Sequence, residues 1–167
     1  RPRPTGSLQE IKLPEGFVIE VFAESLGASA VATPGPNIGP RMMEFINGVL
    51  FASIPAEGRV VALPDVDSDY KVDEIVTVIG NLNKPHGFAF HDNWLYVAEE
   101  NRVIRVKLAG LQADLSTLKV LIDDLPVGGH FTRTIKIHKF PTKHTRETHN
   151  RSLASASGAG ISLVRLD

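Results

Sequence analysis

Two histidines, His86 in KPHG and His130 in GGHFTR, stand 44 residues apart, and each opens a stretch of alternating apolar residues. An imidazole can take up a proton near neutral pH and pass it on, so either is a candidate acid–base group. Gly128 and Gly129 precede His130, where bare backbone lets a bulky ligand come close. Asn83 and Lys84 precede His86 and offer polar contacts to a ligand if their loop faces it. Arg133 follows His130 by three residues, which on a strand turns it to the opposite face unless the chain bends there. The plainer readings stand beside these. His130 is then a loop histidine without chemistry, and His86 bonds the backbone of a neighbouring sheet.

A second cluster is acidic. Asp65, Asp67, Asp69 and Asp73, in DVDSDYKVDE, have the alternating spacing that lets carboxylates converge on one hard cation, calcium above all. Tyr70 stands where a calcium loop needs glycine, and Val76 where it needs glutamate, so a solvated acidic hairpin is the competing reading. A calcium here would be structural. Glu99 and Glu100 fall at the end of a strand, as a charged turn or as a contact to a polar ligand. Trp94 and Tyr96 lie inside an apolar strand and read as core. The pairs His86/His91 and His144/His149 lack the helical zinc pattern.

The elements that would position these groups repeat. Arg41–Leu63 and Asn81–Val106 carry the same order of parts: an alternating strand, a polar two-residue turn, a second strand, a short acidic loop, then Arg-Val and a third strand. Phe45 aligns with Phe90 at an offset of 45, and Arg59 with Arg102 at 43. Short strands recurring with such a period predict propeller blades, and one blade alone cannot bury both of its faces. The fold class expected is therefore all-β, a partial β-propeller of two to three blades. Blade repeats are placed near residues 41–79 and 87–123, with a third opening at 132. Asn47-Gly48 and Asp92-Asn93 sit where hairpins need positive φ. Phe17–Ala23 alternates and predicts a further strand. Residues 1–12 read as a flexible leader, 13–138 as the partial propeller, and 139–167 as an irregular basic and Ser/Ala/Gly-rich tail.

Composition narrows the function classes. A net charge of −1 gives no electrostatic footing for nucleic acid, and no apolar run approaches the roughly 18 residues that span a bilayer. With no cysteine, thiol catalysis and disulfides are excluded for this sequence. Uncovered blade faces predict self-association.

NLNKPHGFAF, LYVAEENRVIRV and DDLPVGGHFTRT, in that order, resemble the glucose/sorbosone dehydrogenase family, and LPEGFVIEVFAE resembles its sorbosone-type branch. The resemblance covers about residues 8–138 and implies a six-bladed propeller of which this chain holds a part. It implies a periplasmic or secreted sugar dehydrogenase using pyrroloquinoline quinone (PQQ) and calcium. His130 would be the base that removes a hydroxyl proton while hydride passes to the quinone. Arg133, His86 and Lys84 would be candidate cofactor contacts. The alternatives are a non-catalytic propeller fragment that binds a partner, and a metal-dependent lactonase, which would need carboxylates in the channel.

Overall fold

The computed structural model describes residues 11–27, 39–137 and 161–164. The expected leader before residue 11 and all of the expected tail except 161–164 lie outside these residues. The architecture is all-β: two four-stranded antiparallel sheets, each an up-and-down meander, with a strand pair beside them. The first sheet is β1 (Met43–Ile46), β2 (Val49–Ile54), β3 (Arg59–Leu63) and β4 (Val76–Ile79). The second is β5 (Phe88–His91), β6 (Trp94–Ala98), β7 (Val103–Ala109) and β8 (Gln112–Ile122). β9 (Thr134–Ile137) opens a third unit and pairs in parallel with β10 (Ile161–Val164). Neither sheet closes on itself, so these are two blades and the first strand of a third.

Turn chemistry sets the registers. Asn47 and Gly48 have φ of 50° and 85°, and Asp92 and Asn93 have 48° and 64°, the mirror-image turns that match strand twist. A third tight turn, at Gly110 (φ 64°), joins β7 to β8 and carries no Asn-Gly or Asp-Asn signal. Because of it β8 begins at Gln112, directly after the turn, and runs eleven residues to Ile122. Period-2 alternation then divides each blade into two faces. Phe51, Val60 and Ala62 of blade 1 meet Phe88, Leu95, Val97, Ile104 and Val106 of blade 2 in one buried core. On blade 2's other face, Ala89, Tyr96, Ala98 and Val103 pack against Ile135 of β9. Blade 1's outer face buries Ala52, Ile54, Val61 and Leu63 beneath Phe22 and Leu26, but leaves Met43 and Phe45 61% and 71% exposed.

Phe17–Ala23 is extended yet belongs to no sheet. Its alternation was sufficient for a strand, but a strand also needs a ladder partner. Among the described residues, the backbone bond it receives comes from Val72 N–H to the Phe22 carbonyl, at 2.9 Å. Phe17, Val18, Ile19 and Val21 are left open to solvent, with Phe17 69% exposed, while Phe22 and Ala23 pack on blade 1.

A repeated backbone hook fixes one blade to the next. Leu82 N–H donates to Gly58 O at 2.9 Å, and Leu125 N–H donates to Asn101 O at 2.8 Å, the same bond 43 residues later. Gly58 is left-handed (φ 60°), and a Cβ there would stand 2.6 Å from the Leu82 carbonyl oxygen. Gly110 is equally left-handed, with nothing within 4 Å of such a Cβ. Gly110→Ala should therefore cost about 1 kcal/mol from backbone strain alone, and Gly58→Ala about 2–4 kcal/mol because the hook must also move. Urea unfolding of the two variants measures the difference.

Candidate functional site

An antiparallel meander places its turns alternately at two ends. The β1–β2 and β3–β4 turns of a blade lie at one end, while the β2–β3 turn and the link to the next blade lie at the other. His86, Lys84, His130 and Arg133 all sit on inter-blade links, so they share the second end. The acidic loop 64–75 joins β3 to β4 and lies at the first. The topology thus separates the two candidate clusters seen in the sequence.

His86 is held from several sides. Its N–H donates to Ala98 O at 2.9 Å, extending the β5–β6 ladder, and its carbonyl accepts from Ser53 Oγ of blade 1 at 2.6 Å. Ser53 Oγ also accepts from the Met42 N–H, so this hydroxyl ties β1 to blade 2. The His86 Nδ1 lies 3.0 Å from the Arg133 carbonyl oxygen. A carbonyl only accepts, so Nδ1 carries the proton and the lone pair of the neutral ring is on Nε2. Phe131 meets the imidazole edge-on, with centroids 6.1 Å apart. The same Arg133 carbonyl accepts the Gly87 N–H at 2.8 Å, and a Cβ on Gly87 would lie 2.5 Å from that oxygen. Only glycine permits this close approach.

The Arg133 guanidinium folds back over its own loop. It donates to the carbonyls of Pro126, His130 and Thr132 at 2.5, 2.9 and 3.1 Å. It therefore braces the loop that carries His130 rather than projecting from it. The His130 side chain is exposed, and the backbone at Gly129 has open space where a Cβ would be. The structure thus joins His86 to residues 131–133 and leaves His130 at the solvent face of the same loop.

Lys84 Nζ pairs with Glu100 Oε2 at 2.7 Å. Glu99 is fully buried, and this the sequence did not disclose. Its carboxylate accepts from the Asn83 N–H at 2.5 Å and from Arg102 Nε at 2.6 Å. Blade 1 has a counterpart: Glu57 pairs with Arg59 at 2.6 Å and accepts the Gly27 N–H at 3.0 Å. The signal was present as an acidic turn followed by Arg-Val in both repeats. Each carboxylate neutralises the strand arginine and caps a passing backbone amide, which makes it part of the frame under the site.

At the opposite end, carboxylate oxygens of Asp65, Asp67 and Asp73 lie within 4.8 Å of one another, and Asp69 is outside that group. These carboxylates also cap their own loop. Asp65 accepts from the amides of Asp69 and Tyr70, both at 3.1 Å, and Asp73 from that of Val66 at 2.6 Å. Among the described residues no helix is long and apolar enough to cross a membrane.

Comparison with known proteins bears on the fold. No family model matches the chain, and no curated protein matches it. The calcium structure of a Trichoderma reesei carbohydrate-active enzyme of family AA12 is similar, with a TM-score of 0.50 and 24% identity over 58% of this chain and 26% of that one. The iodide structure of the family AA12 enzyme from the same organism gives a TM-score of 0.48, with the same identity and coverage. The chain thus spans about a quarter of the length of these structures. The likeness corrects the resemblance drawn from the sequence: the structural neighbours are family AA12 chains, a different family from the glucose/sorbosone dehydrogenases, and no family model supports the latter. The misreading has a physical origin. KPHG and the Glu99–Arg102 pair here hold the inter-blade link, which reports the architecture before it reports a family.

Removing the charge of Glu99 tests its structural role. Glu99→Gln should lose about 2–4 kcal/mol, because Arg102 and the Asn83 amide keep only a weaker buried partner. Glu57→Gln, at a more exposed pair, should lose about 1 kcal/mol. Chemical denaturation followed by tryptophan fluorescence reads both.

Proposed function

We propose that this chain is the two-blade portion of a carbohydrate oxidoreductase of propeller type, with its reactive end at the inter-blade links. The observation that carries the reading is the joining of His86 to the 131–133 segment at that end, with His130 exposed beside it. The fold likeness to carbohydrate-active enzymes of family AA12 supports the same reading.

In this scheme the His130 imidazole accepts the proton of a sugar hydroxyl as the adjoining C–H bond gives up its hydride. PQQ, bound at this end, would supply the two-electron acceptor for that hydride. The residues present fit an anionic quinone in part. Lys84 is a half-exposed ammonium that also pairs with Glu100, the Nε2 of His86 has no hydrogen-bond partner among the described residues, and the backbone at Gly128 and Gly129 is open. Arg133 contributes by holding the His130 loop. A calcium ion at the quinone does not fit these residues. The carboxylates that converge, Asp65, Asp67 and Asp73, belong to the other end, and a cation there would brace the loop only.

Titration of the purified chain with PQQ, read by absorbance and followed by sugar-dependent dye reduction, tests the proposal. Saturable binding is expected, with turnover reduced about 10²–10⁴-fold in His130→Ala. Binding without turnover would make the chain a non-catalytic binding module. A folded chain that does not bind the quinone at all would refute the quinone reading.

A further inference from the structure

The two outer faces of the blade stack differ in charge. On blade 1's outer side lie the segment 11–27 and the loop 64–75, which Val72 and Phe22 hold against that face. Together they carry eight carboxylates, Glu15, Glu20, Glu24, Asp65, Asp67, Asp69, Asp73 and Glu74, against two lysines, Lys12 and Lys71. Apolar side chains stand among them, with Val18 83%, Val66 84% and Tyr70 72% exposed.

The far side of blade 2 is cationic and aromatic. Cross-strand pairing puts Trp94 opposite Lys107, and Arg105 opposite both Tyr96 and Lys119, all on one face. The Arg105 guanidinium carbon lies 4.4 Å from the centre of the Trp94 ring, and Lys107 Nζ lies 5.3 Å from it. Two cations thus share one indole. The carboxylates nearby are engaged: Asp114 accepts from Ser116, and Asp92 pairs with His91. Arg105 Nε is buried and has no acceptor among the described residues. Lys107 and Lys119 are exposed, and their ammonium groups are what a carboxylate brought to this face would meet.

We propose that a second copy of this chain covers this surface, its acidic blade 1 side docking on the Trp94–Arg105–Lys107–Lys119 face of the first. The contact is heterologous: each copy keeps one acidic and one basic end free, so copies add head to tail. It continues the stacking already present within the chain, where blade 1 and blade 2 meet face to face. Charge complementarity selects the direction, because like ends repel. β9 occupies the inner part of blade 2's far face, so the docking is placed over the outer strands, where the acidic segment and loop also lie.

Sedimentation velocity of the full chain at about 20 mM and about 300 mM salt tests this, since an exposed charge contact should weaken at least about tenfold between the two. Two variants separate the ends. R105Q/K107Q removes the basic end, and E20Q/E24Q/E74Q reduces the acidic one, at glutamates with no hydrogen bonds of their own among the described residues. Circular dichroism confirms that each is folded. Each alone should remain monomeric where the unaltered chain associates. Mixed, the two should form a one-to-one pair and nothing larger, since one intact acidic end then meets one intact basic end. An unaltered chain that stays monomeric at low salt would overturn the proposal. So would variants that still self-associate, or a mixture that fails to pair; the two faces would then serve other partners.

Discussion

The apolar contact between the two sheets is the constraint on which the rest of the structure depends. A four-stranded blade has two faces, and its own strands can cover neither. Phe51, Val60 and Ala62 find cover in a core shared with Phe88, Leu95, Val97, Ile104 and Val106. Burial of such side chains is the dominant favourable term in folding, so the angle and separation of the blades follow from it. The polar groups then have to fit around that core. Ser53 bonds across the seam to His86 O, and Glu99 is sealed beneath the Asn83 amide because the link must pass over the turn.

The functional end follows from the same arrangement. Links between blades cross where one blade meets the next, so whatever they carry is brought together there. His86 and the 131–133 segment lie 45 to 47 residues apart, and the Arg133 carbonyl accepts from both His86 Nδ1 and the Gly87 N–H. Because Arg133 offers its backbone to His86 and its guanidinium to its own loop, one residue couples the second blade to the third. A histidine with one nitrogen committed in this way has a fixed orientation and one free lone pair, a common requirement for positioned acid–base groups.

Much of this was legible in the sequence because it rests on local rules. Alternation and the Asn47-Gly48 and Asp92-Asn93 pairs specified hairpins, since left-handed φ narrows the residues a turn can use. The repeat exposed the blades, and the position of loop 64–75 between third and fourth strands already separated it from the histidines. What was not legible depends on distant partners. Phe17–Ala23 has the pattern of a strand but no neighbour to pair with. The start of β8 is set by a turn at Gly110 that lacks a strong dipeptide signal. The burial of Glu99 depends on where the chain passes sixteen residues earlier, at Asn83. The family resemblance failed for a related reason: its motifs overlap the residues that join blades, and unrelated families on one architecture face the same joining problem.

The hook from Leu82 to Gly58, repeated from Leu125 to Asn101, is made entirely of main-chain atoms. A joint of that kind uses no side-chain hydrogen bond, and Gly58, where a Cβ would meet the Leu82 carbonyl, is the position it holds to one residue type. Blades can therefore be copied in tandem and their sequences can diverge freely while the joint between them survives. This is a physical basis for growth by duplication, and for an architecture that outlasts the sequence likeness of its members.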